Sequence, residues 1–208
     1  MKELDIQNWN RKQHFEFFKE FSDPFFSVTV QLDVTKAYQF AKRNNTSFFV
    51  VYLHACMKAV NAIENFKYRI EGDKVVIHEI IHASATILRP DTTFGFSFIH
   101  FSDDFEQFYQ NFLLEKERVF IGNELFPPIN SQDCVYCSAM PWLHFTGHKE
   151  PVNGAVLESV PKFAFGKFEN INNNLLMPIS VDVNHALVDG FHVGQFFQKF
   201  QDALDVFY

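Results

Sequence analysis

The chain has no long apolar run, few cysteines and no excess of positive charge in its 208 residues. No segment approaches the roughly 18 consecutive apolar residues of a membrane span, so we expect no membrane partner. Three cysteines, an odd number, give no disulfide framework. A formal net charge of −7 argues against nucleic-acid binding, which requires clustered lysine and arginine. The N-terminal residues lack the apolar core of a signal peptide, so the expected location is cytoplasmic.

Phenylalanine, by contrast, is abundant, with 28 residues. This residue fills cores but also lines pockets and subunit interfaces, so the count alone does not decide between these roles. The length suits one substantial domain, and neither a linker nor a repeat divides the chain, so we expect a single domain over residues 1–208. Alternating and helical apolar patterns predict an α+β fold with a mostly antiparallel or mixed sheet.

Apolar periodicity locates most of the secondary structure. Phe15, Phe18 and Phe21 recur at near-helical spacing and predict a helix over 11–21. Further helices are predicted at 35–43, at about 47–63 and from a cap at 102–104 to about 119, and strands at 26–34, 68–70, 75–78, 84–88, 93–101, 135–138, about 160–169 and 175–183. Residues 169–174 are predicted to form a polar turn between the last two strands.

The last strand leads through a turn into a closing helix. Residues 179–184 alternate as a strand, Asp189-Gly190 marks a turn, and apolar residues then recur at helical spacing. His185 lies at the strand end, four residues before the aspartate, in a position that can hold one imidazole in a fixed pose. Because imidazole changes protonation near neutral pH, His185 is a candidate general base.

Two short motifs suggest metal or redox sites but stand in the wrong context. His78 and His82 belong to an H-E-x-x-H sequence, which binds zinc only where a helix brings both imidazoles to one face. The flanking residues are strand-like, and in an extended chain the two histidines would lie roughly 13 Å apart. Cys134 and Cys137 form C-x-x-C in a strand pattern, where positions three apart face opposite sides. We therefore predict no metal site and interpret the cysteines as buried structural thiols.

Several separated segments resemble the chloramphenicol acetyltransferase family, in order and at compatible spacing. Residues 184–190, N-H-A-L-V-D-G, resemble its H-H-x-x-x-D-G motif, which the acyltransferase cores of 2-oxo acid dehydrogenase complexes share. Residues 9–15 look like its W-x-R-K-x-H-F segment, 138–142 like S-x-x-P-W and 189–194 like D-G-F-H-V-[GA], while residues 30–34 follow in the expected place. The resemblance covers nearly the whole chain. It implies that family's two-layer α+β fold, a mixed sheet flanked by helices, and a homotrimer with active sites at subunit interfaces.

The resemblance also implies a reaction, the transfer of acetyl from acetyl-CoA to a hydroxyl without a metal or an acyl-enzyme. His185 matches the family's general base. Asp189 matches a structural aspartate paired with an arginine, whose counterpart is Arg11. Ser138 matches the serine that donates to the tetrahedral oxyanion, a contribution of roughly 3–4 kcal/mol where single donors have been tested. His192 belongs to the motif without an evident chemical role, and we interpret it as packing.

By the same resemblance, coenzyme A contacts Trp142, Lys167, Phe168 and Phe49. Pantetheine packing, phosphate attraction and adenine stacking are the natural roles for the first three, and Phe49 matches a second aromatic residue beside the adenine. An aromatic residue in a strand is also often a core residue, so both interpretations stay open for these side chains.

The chain departs from the family near the site. Asn184 replaces the first histidine of the motif, and Ala164 stands where well-studied members carry a threonine that helps to hold a water near the oxyanion. Between residues 147 and 163, charged side chains replace part of the family's apolar acceptor contacts, and buried unpaired charges would be costly. The predicted acceptor-pocket residues are Phe18, His148, Glu150, Val152 and Lys162.

Two interpretations of function follow from these departures. The first is an O-acetyltransferase that acts on chloramphenicol or on a more polar hydroxyl compound. The second is a catalytically weak or silent relative that binds coenzyme A or a small ligand, which Asn184, Ala164 and the charged loop motivate. The acyltransferase core of a dehydrogenase complex ranks last, because a chain of 208 residues has no room for lipoyl and peripheral-binding domains.

Overall fold

The computed structural model describes residues 1–129, 131–153 and 158–207. Its elements in chain order are β1 (Lys2–Glu3), α1 (Lys12–Phe18), β2 (Phe25–Asp33), α2 (Thr35–Arg43), α3 (Phe48–Asn61), β3 (Tyr68–Glu71), β4 (Lys74–Ile77), β5 (His82–Leu88), β6 (Phe94–Phe96), α4 (Phe105–Ile121), β7 (Cys134–Met140), β8 (Lys162–Gly166), β9 (Glu169–Ile171), β10 (Asn174–Asn184) and α5 (Gly190–Asp205).

These strands form two sheets within the described ranges. β4 pairs antiparallel with β1 and β3 in a small sheet. The larger sheet has the order β2-β10-β8-β7-β5-β6, and β9 pairs with the start of β10. β7 runs parallel to β5 and β8, whereas β10 is antiparallel to β2 and β8. The predicted mixed sheet is therefore confirmed.

One face of the larger sheet is covered by helices and carries the main core. Phe163 of β8 lies beside Val181 of β10 on this face, and its ring centroid is 5.1 Å from that of Phe196 of α5. α3 is buried along most of its length and packs against α2, α4 and α5, as expected for a helix that is apolar on nearly all sides. The predicted α+β arrangement of a mixed sheet flanked by helices is thus confirmed.

The opposite face carries polar and charged side chains that are nevertheless buried. Successive strand residues point to alternate faces, so the residues between the core positions of β8 and β10 share this second face. Lys162, Ser180, Asp182 and Asn184 lie there, and each is at most 5% exposed. They are covered by the loop before β8, because Ser180 donates to the carbonyl of His148 at 3.1 Å.

Two predicted elements differ in the structure. The strand predicted over 93–101 is regular only at Phe94–Phe96. The hydroxyl of Ser97 bonds to both the amide and the carbonyl of Ala85, so a side chain takes part in the ladder and disturbs its regular register. The polar turn predicted at 169–174 is present but shorter than predicted, because β9 and the start of β10 form a hairpin within that range. Asn172 and Asn173 make its turn, with φ of 52° and 67°, a region that asparagine tolerates.

The two misleading motifs lack the geometry of metal or redox sites. His78 to Ile81 form a bend rather than a helix, and β5 begins at His82. Cys137 belongs to the main core and Cys134 to a separate small cluster, so the two thiols are buried apart. Burial raises the pKa of Cys134 to about 12, which keeps it protonated and unreactive.

Two further features concern the described part of the chain. No group of three or more histidine, cysteine or acidic side chains in it is arranged to hold a metal ion. No helix in it combines the length and the apolar character that crossing a bilayer requires.

Candidate active site

Asn184 ends β10 and fixes the turn that follows. Its Nδ2 donates to the carbonyl of Glu158 at 2.8 Å, and its Oδ1 accepts from the amide of Ala186 at 2.9 Å. Its own carbonyl accepts from the amides of Leu187 and Val188, both at 3.0 Å. An amide side chain suits this position because it donates and accepts at once. The residue that departs from the family motif therefore has a complete structural role.

His185 is held in one orientation by its backbone and by two aromatic rings. Its amide donates to the carbonyl of Pro24 at 2.9 Å. The imidazole stacks on Phe18, with ring centroids 4.0 Å apart and planes inclined by 5°, and contacts Phe26 at 4.7 Å. Within the described residues, Nδ1 is buried without a hydrogen-bond partner, while Nε2 also lacks one but is not fully buried. Nε2 is thus the ring nitrogen available to another molecule.

Arg11 connects α1 to the turn after β10. Its Nη1 forms an ion pair with Asp189 Oδ2, and its Nη2 donates to the carbonyl of His185 at 3.3 Å. Burial raises the pKa of Asp189, but its interactions with His192 and Arg11 outweigh burial and hold that pKa below its usual value. The pairing predicted between Arg11 and Asp189 is present and is tied directly to the backbone of His185.

His192 has a hydrogen-bonding role that packing alone does not describe. Its Nδ1 accepts from the amide of Asp189 at 3.2 Å, while Asp189 Oδ1 accepts from the amide of Phe191 at 3.1 Å. Each residue thus satisfies a free amide at the start of α5, in the reciprocal manner of a capping box. Burial lowers the pKa of His192 in spite of Asp189, which favours the neutral ring needed to accept this bond.

A cavity of about 640 Å³ lies on the face of the sheet that the helices leave uncovered. This volume suits a drug-sized ligand, and the lining is mostly apolar and aromatic. Aromatic residues from three parts of the chain contribute to it, namely Phe94, Phe96, Phe126, Tyr136 and Trp142. Phe94 and Phe96 were not predicted to line a pocket, although their alternation in a strand places both on one face and could have indicated it.

Ser138 also lines this cavity. It pairs with Ala164 on β8, which pairs in turn with Ser180 on β10, so a methyl group lies between two hydroxyls. Ser180 is occupied by its bond to the loop, whereas Ser138 has no hydrogen-bond partner among the described residues. The hydroxyl of Ser138 is therefore free to donate into the cavity.

Glu150, Glu158 and Lys162 form a second part of the lining, called the charged wall below. Lys162 Nζ donates to Glu158 Oε2 at 2.6 Å and to the carbonyl of Pro151 at 2.5 Å. The amide of Glu150 donates to Asp182 Oδ2 at 2.6 Å. The charges predicted for this region are thus largely paired with one another. Residues 154–157 of the same loop lie outside the described residues.

The remaining predicted acceptor residues, Phe18, His148 and Val152, are not in the lining of this cavity. Phe18 covers His185 instead. His148 contacts the ring of Phe145, and its Nε2 is 3.8 Å from Glu150 Oε1. Val152 lines an adjoining, more open cavity together with Glu150 and other residues of the same loop.

Two of the predicted coenzyme A residues lie in neighbouring loops. The amide of Lys167 donates to the carbonyl of Leu143 at 2.7 Å, which places Lys167 beside the loop of Trp142. Lys167 is exposed, and Trp142 is 65% exposed while it also lines the cavity. A cation and an aromatic surface are therefore both exposed in these two neighbouring loops.

The two predicted phenylalanines are not in mutual ring contact. Phe168 contacts Phe48 of α3, with ring centroids 5.8 Å apart. Phe49 contacts Tyr52 and Phe112 instead, at 5.4 and 5.6 Å. Among the described residues, the side chain that α3 presents to Phe168 is that of Phe48.

His185 and Ser138 face different places within one chain. His185 contacts Phe18 and Phe26 at the side of β2, the edge strand, and is not part of the cavity lining. Ser138 lines the cavity, which lies over β5 to β8. The chain therefore offers a free imidazole nitrogen and a free hydroxyl on separate surfaces.

The fold is shared with acyltransferases of known structure. The dihydrolipoamide acetyltransferase of Azotobacter vinelandii has the same fold, with a TM-score of 0.69 at 16% identity over 93% of this chain and 86% of that one. The family description "Chloramphenicol acetyltransferase" matches residues 1–201. The chain therefore belongs to the chloramphenicol acetyltransferase family and is an acetyl-CoA-dependent O-acetyltransferase.

Similar proteins support this assignment over almost the full length. A chloramphenicol acetyltransferase from Klebsiella sp. is 31% identical over 207 residues, which cover 97% of this chain and 93% of the relative. A solved structure of a chloramphenicol acetyltransferase has a TM-score of 0.86 at 30% identity, over 97% of this chain and 98% of that chain. The family implies acetyl-CoA as co-substrate and a small molecule as acceptor.

Proposed function

We propose that this enzyme transfers the acetyl group of acetyl-CoA to a hydroxyl of chloramphenicol or of a more polar analogue, with His185 as general base. The observation that carries the proposal is the way in which His185 is held. Its amide is bonded to Pro24, its ring is stacked on Phe18, and its Nε2 is free and accessible. An oriented imidazole with one free nitrogen is suited to accept a proton from a bound hydroxyl.

Both substrates are bound together in the proposed reaction. The acceptor oxygen attacks the thioester carbon while its proton passes to Nε2 of His185. The new C–O bond forms and the C–S bond breaks, and the proton then passes from His185 to the departing sulfur of coenzyme A. No acyl-enzyme forms, because the acetyl group moves directly between the two substrates.

The remaining catalytic residues act on charge and geometry. Ser138 donates its free hydroxyl to the oxyanion that develops on the thioester oxygen. Arg11 and Asp189 are positioning residues, since Arg11 bonds both to Asp189 and to the carbonyl of His185. Ala164, which lies beside Ser138 in the sheet, has no hydroxyl to hold a water there.

Coenzyme A is assigned to the exposed surface at the cavity mouth. Trp142 packs against the pantetheine chain, and Lys167 attracts a phosphate. Phe168 and Phe49 are proposed to contact the adenine. The support for this location is the exposure of Trp142 and Lys167 in two loops that are joined by a hydrogen bond.

We place the complete active site between subunits of a homotrimer of single-domain chains, in the cytoplasm. The support is the separation of His185 from the cavity that Ser138 lines. A second copy that presents its His185 to this cavity would bring base, oxyanion donor and acceptor together. Phe18, which is stacked on His185, would then form part of the acceptor pocket contributed by that copy.

The reaction is tested by incubating the purified protein with acetyl-CoA and chloramphenicol and following the release of free thiol. Mass spectrometry of the product is expected to show a single added acetyl group. If a broad panel of hydroxylated acceptors releases no thiol while acetyl-CoA still binds, the protein is a silent relative and the proposal is wrong. Asn184 does not favour that alternative, because its side chain is fully engaged in shaping the turn.

The subunit arrangement is tested by mixing two inactive variants, His185→Ala and Ser138→Ala, after reversible dissociation. If His185 and Ser138 of one site come from different chains, about a quarter of the interfaces in a random mixture pair two intact residues. Activity is then expected to rise toward about a quarter of the wild-type value. A mixture that stays as inactive as its components would place both residues of each site in the same chain.

A further inference from the structure

Among the described residues, the Glu150 carboxylate of the charged wall has the His148 imidazole as its basic neighbour within 4 Å and no lysine or arginine that close. The ammonium of Lys162 is already bonded to Glu158 and to the carbonyl of Pro151. Asp182, which is 2% exposed, accepts from the backbone amide of Glu150 rather than from a cation. Glu150 therefore lines the cavity near the carboxylate of Asp182 and near the ammonium of Lys162, which is already hydrogen-bonded to other groups.

The carboxylate of Glu150 accepts no hydrogen bond from the part of the chain that the structure describes. Its nearest basic atom is His148 Nε2, at 3.8 Å, which is beyond hydrogen-bonding distance. The side chain is only 23% exposed. Burial raises the pKa of Glu150. The charge of Asp182 raises it further, while His148 and Lys162 lower it. The site thus holds a poorly solvated acceptor that lacks a donor.

The rest of the cavity has a different character. Phe94, Phe96, Phe126 and Trp142 give it an aromatic lining, and Ser138 supplies a free hydroxyl. A ligand that fills this space would contact apolar rings over most of its surface and meet Glu150 at one point. A ligand with no hydrogen-bond donor at that point would cover the carboxylate without pairing it, which is unfavourable for a buried charge.

We infer that the acceptor is an apolar or aromatic alcohol that carries a protonated amine, and that the amine pairs with Glu150. This inference rests on the proposed function, since it names the acceptor class for the same cavity. The ammonium supplies the donor that Glu150 lacks, and the apolar part of the molecule fills the aromatic lining. A charge-assisted hydrogen bond of this kind is stronger than a neutral one and fixes the orientation of the alcohol.

The test compares two ligands of the same shape. The first is the analogue of chloramphenicol in which dimethylamino replaces the dichloroacetamido group, and the second carries isopropyl at that position. The tertiary amine is charged near neutral pH and cannot itself be acetylated. Dissociation constants are measured by calorimetry without acetyl-CoA, for the wild type, for Glu150→Gln and for Glu117→Gln, which changes an exposed carboxylate of α4.

The wild type is expected to bind the amine about 10- to 100-fold more tightly than the isopropyl compound, as for a hydrogen bond to a charged group. Glu150→Gln should abolish this preference, and Glu117→Gln should retain it. Equal affinities of the wild type for the two ligands would overturn the inference, and that comparison requires no variant to fold. A preference that persists in Glu150→Gln would also overturn it.

Acetyl transfer is measured separately, so the two proposals fail in different ways. If chloramphenicol is acetylated but the wild type does not prefer the amine, the acceptor class is wrong and the reaction stands. If no alcohol is acetylated but the preference for the amine depends on Glu150, the cavity recognises cations and the proposed reaction is wrong.

Discussion

The turn around His185 and the charged wall both contain buried polar groups, but they satisfy them differently. In the turn, Asn184, Asp189 and His192 are bonded mostly to backbone amides and carbonyls within a few residues. In the wall, Lys162 and Glu158 pair with each other, while the carboxylate of Glu150 accepts no hydrogen bond from the described residues. The hydrogen bonds that hold the backbone of the turn therefore form without a ligand, whereas the wall keeps a carboxylate that lacks a donor.

This difference separates the two tasks of the enzyme. A general base must be placed before the substrate arrives, and local backbone bonds hold it without depending on the ligand. Substrate selection instead requires a group whose interaction is completed only by the right ligand. We therefore expect changes in the turn to affect the transfer of acetyl to every acceptor. Changes in the wall should alter which acceptor is preferred.

The largest expected effect follows from removing the base. His185→Ala should lower kcat by about 10²–10⁴-fold with every acceptor, because proton removal from the hydroxyl is lost. The melting temperature and the oligomeric state should change little, since the side chain of His185 makes ring contacts but no hydrogen bond. Steady-state thiol release measures kcat, and His100→Ala is a control at an exposed histidine. Turnover near the wild-type value would exclude His185 as the base.

The next effect concerns the oxyanion. Ser138→Ala should lower kcat by about 10²–10³-fold while the KM for the acceptor changes less, because the lost hydrogen bond forms mainly in the transition state. Ser180→Ala is the matched control, since Ser180 lies two strands away in the same register but is bonded to the loop. A rise in KM with unchanged kcat would make Ser138 a binding residue only.

A smaller effect on both stability and rate is expected from the ion pair. Asp189→Asn keeps a residue that caps helices well but removes the charge opposite Arg11, whose side chain is 10% exposed. Unfolding in urea should show a loss of about 2 kcal/mol, less than for a fully buried pair because Asp189 is 31% exposed. The kcat should fall with it, since Arg11 also holds the carbonyl of His185.

The pH dependence of this loss has a definite sign. The folded protein holds the pKa of Asp189 below its ordinary value, so the carboxylate stabilises the fold above the unfolded-state pKa. That stabilisation disappears as the pH falls through the folded pKa. Wild type and Asp189→Asn should therefore differ at neutral pH and converge in acid. A difference that stays constant into acid would show that charge is not the cause.

The sequence predicts the larger elements because their physical signals are local. The alternation of apolar and polar residues predicts β2 and β10, although both faces of β10 are buried, and the helical period of α5 follows from its buried face. The position of His185 at a strand end follows from the local pattern, and the pairing of Asp189 with Arg11 was implied by the family resemblance. The irregular strand after Phe96 was not predictable, since it depends on a hydroxyl bond between Ser97 and Ala85, which belong to different segments.

The site was less predictable, because its contacts also join segments that are separate in the sequence. The loop folds over the sheet so that Lys162 pairs with Glu158, and Glu150 is left without a donor among the described residues. No local sequence pattern encodes this arrangement. The capping role of His192 could have been found, because it stands three residues after an aspartate N-cap, where a side chain returns a bond to the cap amide. The usual glutamate or glutamine at that position is replaced by histidine.

The smallest predicted effect tests the wall without any ligand. The pKa of Glu150 is raised in the folded protein, so ionisation opposes folding as the pH rises from the unfolded-state value through the folded pKa. Glu150→Gln removes this penalty and keeps the backbone bond to Asp182. The variant should therefore be more stable than the wild type by about 0.5 kcal/mol near pH 8 and equally stable near pH 4, a small gain because the side chain is partly exposed.

Urea unfolding at both pH values, with Glu117→Gln as control, measures this difference. The titratable groups that face Glu150 are His148, Asp182 and Lys162. If Glu150→Gln were less stable than the wild type near pH 8, the favourable effect of Lys162 on the Glu150 carboxylate would exceed the unfavourable effects of Asp182 and of burial. The wall would then be complete without a ligand, like the turn, and the contrast between the two regions would fail.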